Sequence, residues 1–279
     1  MSLGSVVAKA NASQGSLKKL IRLHLAEENQ VPYLDENGYL RVSALAELCP
    51  REEVLASTLK FVRTRKVDAD LGMIFAHGTA LHWVLQNKIV GLTGALYGVW
   101  HCVKCAKQFG APSPNLQESQ SLSTRPRSCD ACGCPDFHFL EQRFINEEYR
   151  IGGHPDGFLV LPGLPGIGIA EFKSVGIKSA WEVRSTPNMG HVVQVQTYLW
   201  LTGLQWGKIL YWEKGGQGMS ALFEHHVERD EESIENIKGM IRSIWNGVTS
   251  GLLPQGPCTT IECPRAAKCQ LKHACFEER

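Results

Sequence analysis

The chain has 279 residues, and its 29 Lys and Arg nearly balance 28 Asp and Glu, for a formal net charge of +1. With 43% hydrophobic and 20% charged residues it can bury a core, which excludes a disordered polyelectrolyte, and its neutrality excludes coating of a nucleic acid by bulk charge, so such contact needs a local patch. No apolar run approaches the ~20 residues that span a bilayer, and the opening MSLGSVVAKANASQGS lacks the apolar stretch of a signal peptide, so a soluble, cytoplasmic protein without a membrane partner is expected.

In chain order, Leu17, Leu20, Ile21 and Leu25 recur near a 3.6-residue period and predict a helix over 16–29. Pro50 followed by Glu52 and Glu53 suits the first turn of a second helix, which is expected to run through Leu55, Leu59 and Val62 to the basic cluster Lys60, Arg63, Arg65 and Lys66. A third helix is expected over 74–90 and carries His82. From Trp100 to Pro135 the composition turns to Cys, Ser, Pro and Gln, which reads as an inserted module. Strands are expected over 137–149, 157–161 and 167–174, joined by Gly- and Pro-rich turns. A helix over 191–202 closed by Gly203, a strand over 208–212, a helix over 230–246 and a Cys- and Pro-rich tail complete the chain. The fold class is therefore mixed α/β, of α+β character. Its expected parts are an N-terminal helical part (1–99), an insertion (100–135), a core (136–250) and a C-terminal segment (251–279).

The stretch GGHPDGFLVLPGLPGIGIAEFKS, residues 152–174, carries the most chemistry. Asp156 opens one strand, while Glu171 and Lys173 lie two apart in the next and so share a face, with Phe172 turned to packing. A short turn brings Asp156 beside Glu171, and two adjoining carboxylates repel unless a divalent cation lies between them. Hard oxygen donors favour Mg²⁺ or Mn²⁺, and a neighbouring lysine can orient or deprotonate a water. The plainer alternative is that Asp156 caps a turn and Glu171 and Lys173 decorate a solvated strand. The same stretch resembles the motif of the PD-(D/E)XK nuclease superfamily. Two further segments, HGTALHWVLQ (77–86) and HVVQVQTYLW (191–200), resemble accessory motifs of its RecB-like branch. The resemblance implies that His82 is a nitrogen ligand of the metal, that the Phe172 carbonyl is an extra ligand, and that Gln194 and Tyr198 contact DNA near the scissile phosphate.

Ten cysteines fall at 49, 102, 105, 129, 132, 134, 258, 263, 269 and 275. Cys102-x2-Cys105 and Cys129-x2-Cys132 form two knuckles of a zinc ribbon, with Cys134 able to replace Cys132 or stay free. Such a ribbon either guides single-stranded DNA or a partner protein, or only holds together an insertion too small to bury a core. Cys49 and the tail PCTTIECPRAAKCQLKHACF resemble the iron–sulfur nucleases of the superfamily, among them the CRISPR-adaptation exonuclease family and related phage exonucleases. The resemblance implies a [4Fe-4S] cluster on four cysteines, assigned to Cys49, Cys258, Cys269 and Cys275 with Cys263 as alternate; zinc is the rival occupant. It also implies a Mg²⁺- or Mn²⁺-dependent exonuclease acting on DNA ends, preferring single strands, in phage or prophage DNA processing within the host cytoplasm. A recombination or helicase protein is the implied partner. Competing readings are a non-catalytic DNA-end-binding accessory protein and a structure-specific or restriction-type endonuclease. Trp200, Trp206 and Trp212 can stack on bases, but burial of such large rings is their commoner use.

Overall fold

The computed structural model describes residues 16–25, 27–30, 34–35, 37–62, 64–111 and 122–277. The first part comprises α1 (Leu17–Leu25), β1 (Glu27–Gln30), β2 (Leu40–Arg41), α2 (Pro50–Thr58), β3 (Thr64–Val67) and α3 (Ala69–Val84). Next come β4 (Leu96–Cys102), β5 (Gln108–Phe109), β6 (Ser123–Thr124), β7 (Phe137–Leu140), β8 (Phe144–Asn146) and β9 (Ile151–Gly153). The remainder holds β10 (Gly157–Leu159), β11 (Gly168–Val175), α4 (Ile177–Ser185), α5 (Met189–Thr202), β12 (Trp206–Glu213), β13 (Leu222–Glu228), α6 (Glu231–Ser250) and α7 (Lys272–Glu277). The fold is mixed α/β, a mixed sheet with helices against it.

The sheet runs in the order β13-β12-β11-β10-β4, and β5, β6 and β7 all pair along β4. β11 and β12 are parallel, so the chain crosses between them through α4 and α5, as a parallel pair requires. Residues 168–172 of β11 are buried without a break, as expected of a strand covered on both faces. On one face Ile169, Ile209 and Tyr211 pack against Val195, Tyr198 and Leu199 of α5 and against Ile237, Ile241 and Ile244 of α6. On the other, Ala170 and Phe172 join Trp100, Phe137, Phe139 and Trp206. Trp206 is buried there with its indole N–H donated to the Pro165 carbonyl at 2.7 Å, while Trp200 and Trp212 pack against the two clusters. All three rings thus contribute to packing.

Several elements end elsewhere than their sequence suggests. The first helix stops at Leu25, because residues 27–30 pair antiparallel with 64–67. The second stops at Thr58, where Lys60 turns left-handed (φ 51°) and the Phe61 N–H returns to the Ala56 carbonyl at 2.8 Å. That is a Schellman closure made without the usual glycine. Of the basic cluster expected on that helix, Arg63 lies outside the described residues, and Arg65 and Lys66 belong to β3. The expected strand over 137–149 is two short strands, β7 and β8. Trp100 and Cys102, assigned to the insertion, are buried residues of β4 within the sheet. Among the described residues, no helix is long and apolar enough to cross a membrane.

Candidate active site

The β10–β11 hairpin places Gly157 opposite Ala170, so Asp156, one residue earlier, stands beside Glu171. A Cβ on Gly157 would come within 2.6 Å of Leu96 Cδ1, so only glycine lets β10 lie this close to β4. Asp156 Oδ2 accepts the Phe172 N–H at 2.5 Å, which fixes the carboxylate across the hairpin. Period-two alternation sends Phe172 into the core and keeps Glu171 and Lys173 together on the α5 side, where Lys173 Nζ lies 2.6 Å from Glu171 Oε1 and donates to Gln194 Oε1 at 3.0 Å.

α3 supplies the facing wall. His82 Nδ1 lies 3.2 Å from Asp156 Oδ1. Beyond Val84 the helix widens into a π turn over Leu85–Ile89, a distortion frequent at functional sites, and buries the amides of Gln86 and Asn87. Gln86 Nε2 donates to Glu141 Oε1 at 2.9 Å and to the Asp156 carbonyl at 3.0 Å, while Asn87 Oδ1 accepts the Phe139 N–H at 2.8 Å. These bonds lock α3 to β7 and to the Asp156 loop. They also draw Glu141 in, so that His82, Glu141 and Asp156 each offer a ligand atom within 4.8 Å of the others.

The electrostatics of this group are unfavourable without a cation. Glu171 is 1% exposed, and burial together with the charge of Asp156 pushes its carboxyl up to about 8. Its Oε2 has no hydrogen-bond partner among the described residues, a costly state for a buried polar atom. Burial and Asp156 push Glu141 up as well. For His82, burial acts downward, but the hydrogen bond and charge of Asp156 outweigh it and the net direction is up. Burial likewise depresses Lys173, yet Glu171 and Asp156 hold it above the usual lysine value, so it is an ammonium at neutral pH. Two carboxylates and an imidazole gathered within 4.8 Å (Asp156, Glu141 and His82), with the orphaned oxygen of Glu171 outside that group, are the donor chemistry of a hard divalent ion. The residues present fit Mg²⁺ or Mn²⁺.

Gln194 and Tyr198 share one face of α5, one turn apart. Gln194 is engaged with Lys173, and the buried Tyr198 hydroxyl donates to the His154 carbonyl at 2.8 Å. Burial and the charge of Glu171 keep that phenol well above its ordinary value. Both residues line a cleft of about 520 Å³ that also reaches Glu141.

The ribbon thiols converge. Cys102, Cys105, Cys129 and Cys132 offer sulfurs all within 4.8 Å of one another, with Cys102–Cys132 and Cys105–Cys129 both at 3.5 Å. Tetrahedral bonds of ~2.3 Å place thiolates about 3.8 Å apart, so the set can hold a metal ion of that kind. Each knuckle has the same backbone plan. The N–H of Ala106 and of Gly133, both left-handed (φ 57° and 70°), returns to the carbonyl of Cys102 and of Cys129. In the second knuckle Cys134 contributes its carbonyl to the Cys129 N–H, while its thiol leans toward the Asp136 carbonyl at 3.8 Å, outside the group.

The tail returns to α2. Leu271 packs on Leu55 and Ala56, with Cys269 and Cys275 against them, and Arg51 donates to Cys275 Sγ at 3.1 Å and to its carbonyl at 2.9 Å. Cys49, Cys258, Cys269 and Cys275 line one pocket. Cys263 is not among its walls but lies 2.8 Å, sulfur to sulfur, from Cys258. These sulfurs do not gather within 4.8 Å as the ribbon's do.

No protein-family model and no curated protein matches the chain. Among solved structures it is similar to an alkaline exonuclease from Laribacter hongkongensis, at 22% identity over 37% of this chain and 51% of that one, with a TM-score of 0.32. It is similar also to a phage related exonuclease from Haemophilus somnus 129PT (19% identity, 39% and 58% covered, TM-score 0.32). A third likeness is to SSO0001, at 14% identity over 87% and 90% of the two chains, with a TM-score of 0.37. The chain spans about half the length of the alkaline exonuclease it matches, 51%.

Sequence reasoning missed Gln86 and Glu141. Gln86 could have been found, because it follows His82 by one helical turn and so shares its face. Glu141 sits in the connection after β7, and no periodicity marks it; only the Gln86 bond reveals its place.

Proposed function

We propose that this protein is a metal-dependent deoxyribonuclease that hydrolyses phosphodiester bonds from the ends of single-stranded DNA. The convergence of Asp156, Glu171 and Lys173 at the β10–β11 hairpin is the observation that carries the reading. Asp156, Glu171, His82 and Glu141 would hold Mg²⁺ or Mn²⁺, with the Phe172 carbonyl as a further ligand. When bound, the ion supplies charge for the phosphoryl oxygens and a water of lowered pKa.

The chain's own groups do the rest. Lys173, kept as an ammonium between Glu171 and Gln194, positions the attacking water and offsets charge growing on the phosphate; its protonation favours that role over proton abstraction. Gln86 holds Glu141 and the Asp156 loop in register. Gln194 and Tyr198 form the wall past which the strand is steered. Tyr198, tied to the His154 carbonyl, acts there through shape and not through proton transfer. Cys102, Cys105, Cys129 and Cys132 hold Zn²⁺ as a structural staple of the insertion. Cys49, Cys258, Cys269 and Cys275 hold a [4Fe-4S] cluster that ties the tail to α2. A helicase or recombination protein that delivers unwound ends, in phage or prophage DNA processing, is the partner this activity implies.

Incubation with Mn²⁺ of an end-labelled linear single strand, beside a closed circle of the same sequence, tests the reading. Release of label from the linear strand with the circle intact is expected. Cutting of the circle would make the protein an endonuclease, and retention of both substrates intact would leave an end-binding accessory protein.

A further inference from the structure

The cleft beside the carboxylates extends well past them. Glu141, Gln194 and Tyr198 belong to the side already described, and Arg41, Ser43 and His154 line it as well. Arg41 stands opposite Gly152 in the β2–β9 pairing, four residues before Asp156, so about 13 Å of extended chain separates the two positions. Its volume of about 520 Å³ lies within the range of small-ligand sites.

Charge divides this cleft. Its Arg143 guanidinium is already engaged, paired with the Asp35 carboxylate and stacked over the Tyr39 ring at 5.4 Å. Arg41 is exposed, and its side chain has neither ion pair nor hydrogen bond among the described residues. It is therefore an uncompensated cation of a cleft that Glu141 also lines.

We infer that the cleft seats a single-stranded polynucleotide, and that Arg41 takes a backbone phosphate next to the one that is cut. This rests on the hydrolytic reading for the cut itself, but not for the seat. A planar guanidinium in a cleft that the Ser43 hydroxyl also lines is suited to a phosphate's oxygens. A contact of this kind goes to the backbone and carries no sequence information of its own.

The test is binding of fluorescein-labelled oligothymidylate to the full chain in EDTA, followed by anisotropy across a range of NaCl. Arg41→Ala and Arg41→Gln should each weaken binding roughly tenfold, the size of one charge-assisted hydrogen bond. Both should make the log–log salt slope shallower by about 0.7, the loss of one phosphate contact to a single strand. Arg41→Lys should keep the slope. Unchanged slopes in both neutral variants, or wild-type protein that does not bind the oligomer, would overturn the seat. The two ideas separate cleanly. Loss of slope in a protein that never cuts retires the hydrolytic reading and leaves the seat; cutting with unchanged slopes does the reverse.

Discussion

Replacing Lys173 by methionine is expected to slow Mn²⁺-dependent cleavage by about 10³-fold, the size of a lost transition-state charge, while leaving the melting temperature within a few degrees of wild type. Lys173 is the cationic side chain in contact with Glu171, and the charge it supplies has no substitute in the wall that Gln194 and Tyr198 form. Stability should survive for a specific reason. Loss of one partner of a buried ion pair is usually costly because the other charge stays stranded. Here burial and Asp156 already push Glu171 up to about 8, and without the ammonium it moves higher still. Glu171 then folds as a neutral acid at pH 7, and no stranded charge remains. Single-turnover rates on an end-labelled strand, with thermal melts alongside, check both halves. A rate within tenfold of wild type would remove Lys173 from the chemistry.

The second large effect concerns the ribbon. Cys129→Ser is expected to release zinc and lower the melting temperature by about 10 °C, since a structural zinc site contributes folding free energy outright. The damage should spread into the sheet, because Cys102 ends β4, the strand along which β5, β6, β7 and β10 all pair. Amide exchange should therefore accelerate over β4 and β7 as well as in the knuckles. Cys134→Ser is the matched control, a neighbouring thiol directed at the Asp136 carbonyl instead of the group, and it should keep its zinc. Equal zinc content in the two variants would contradict the assignment of Cys129 and the exclusion of Cys134.

What the sequence disclosed depended on how locally each feature is built. Asp156, Glu171 and Lys173 lie within one hairpin, so turn signals and strand alternation sufficed to bring them together. The ribbon knuckles are local too, each closed by its own backbone bonds. The helix over 191–202 and its stop at Gly203 were legible for the same reason: the glycine takes the left-handed C-terminal position (φ 74°). Lys60 performs the same turn without glycine, which is why the second helix was drawn too long. The periodicity carries the first helix over residues 27–29 because their pairing with β3 depends on a partner more than thirty residues away. Glu141 and Arg41 were invisible for that reason as well. Glu141 reaches the site through a buried amide on a π turn, and Arg41 reaches the cleft through a two-residue parallel pairing, neither of which any spacing rule encodes.

The claim on which the rest depends is that Asp156 and Glu171 share a divalent cation. It is tested most directly by calorimetric titration of Mn²⁺ at pH 7, repeated in buffers of different ionisation enthalpy to count protons. Because Glu171 is held up to about 8, it carries a proton at pH 7, and a ligand carboxylate must release it. The prediction is one ion bound with at least one proton released at pH 7, since His82 is also held up; Glu171's share should fade as pH rises above 8, and Glu171→Gln should lose that share along with most of the affinity. Mn²⁺ uptake at pH 7 without proton release, unchanged in Glu171→Gln, would contradict it.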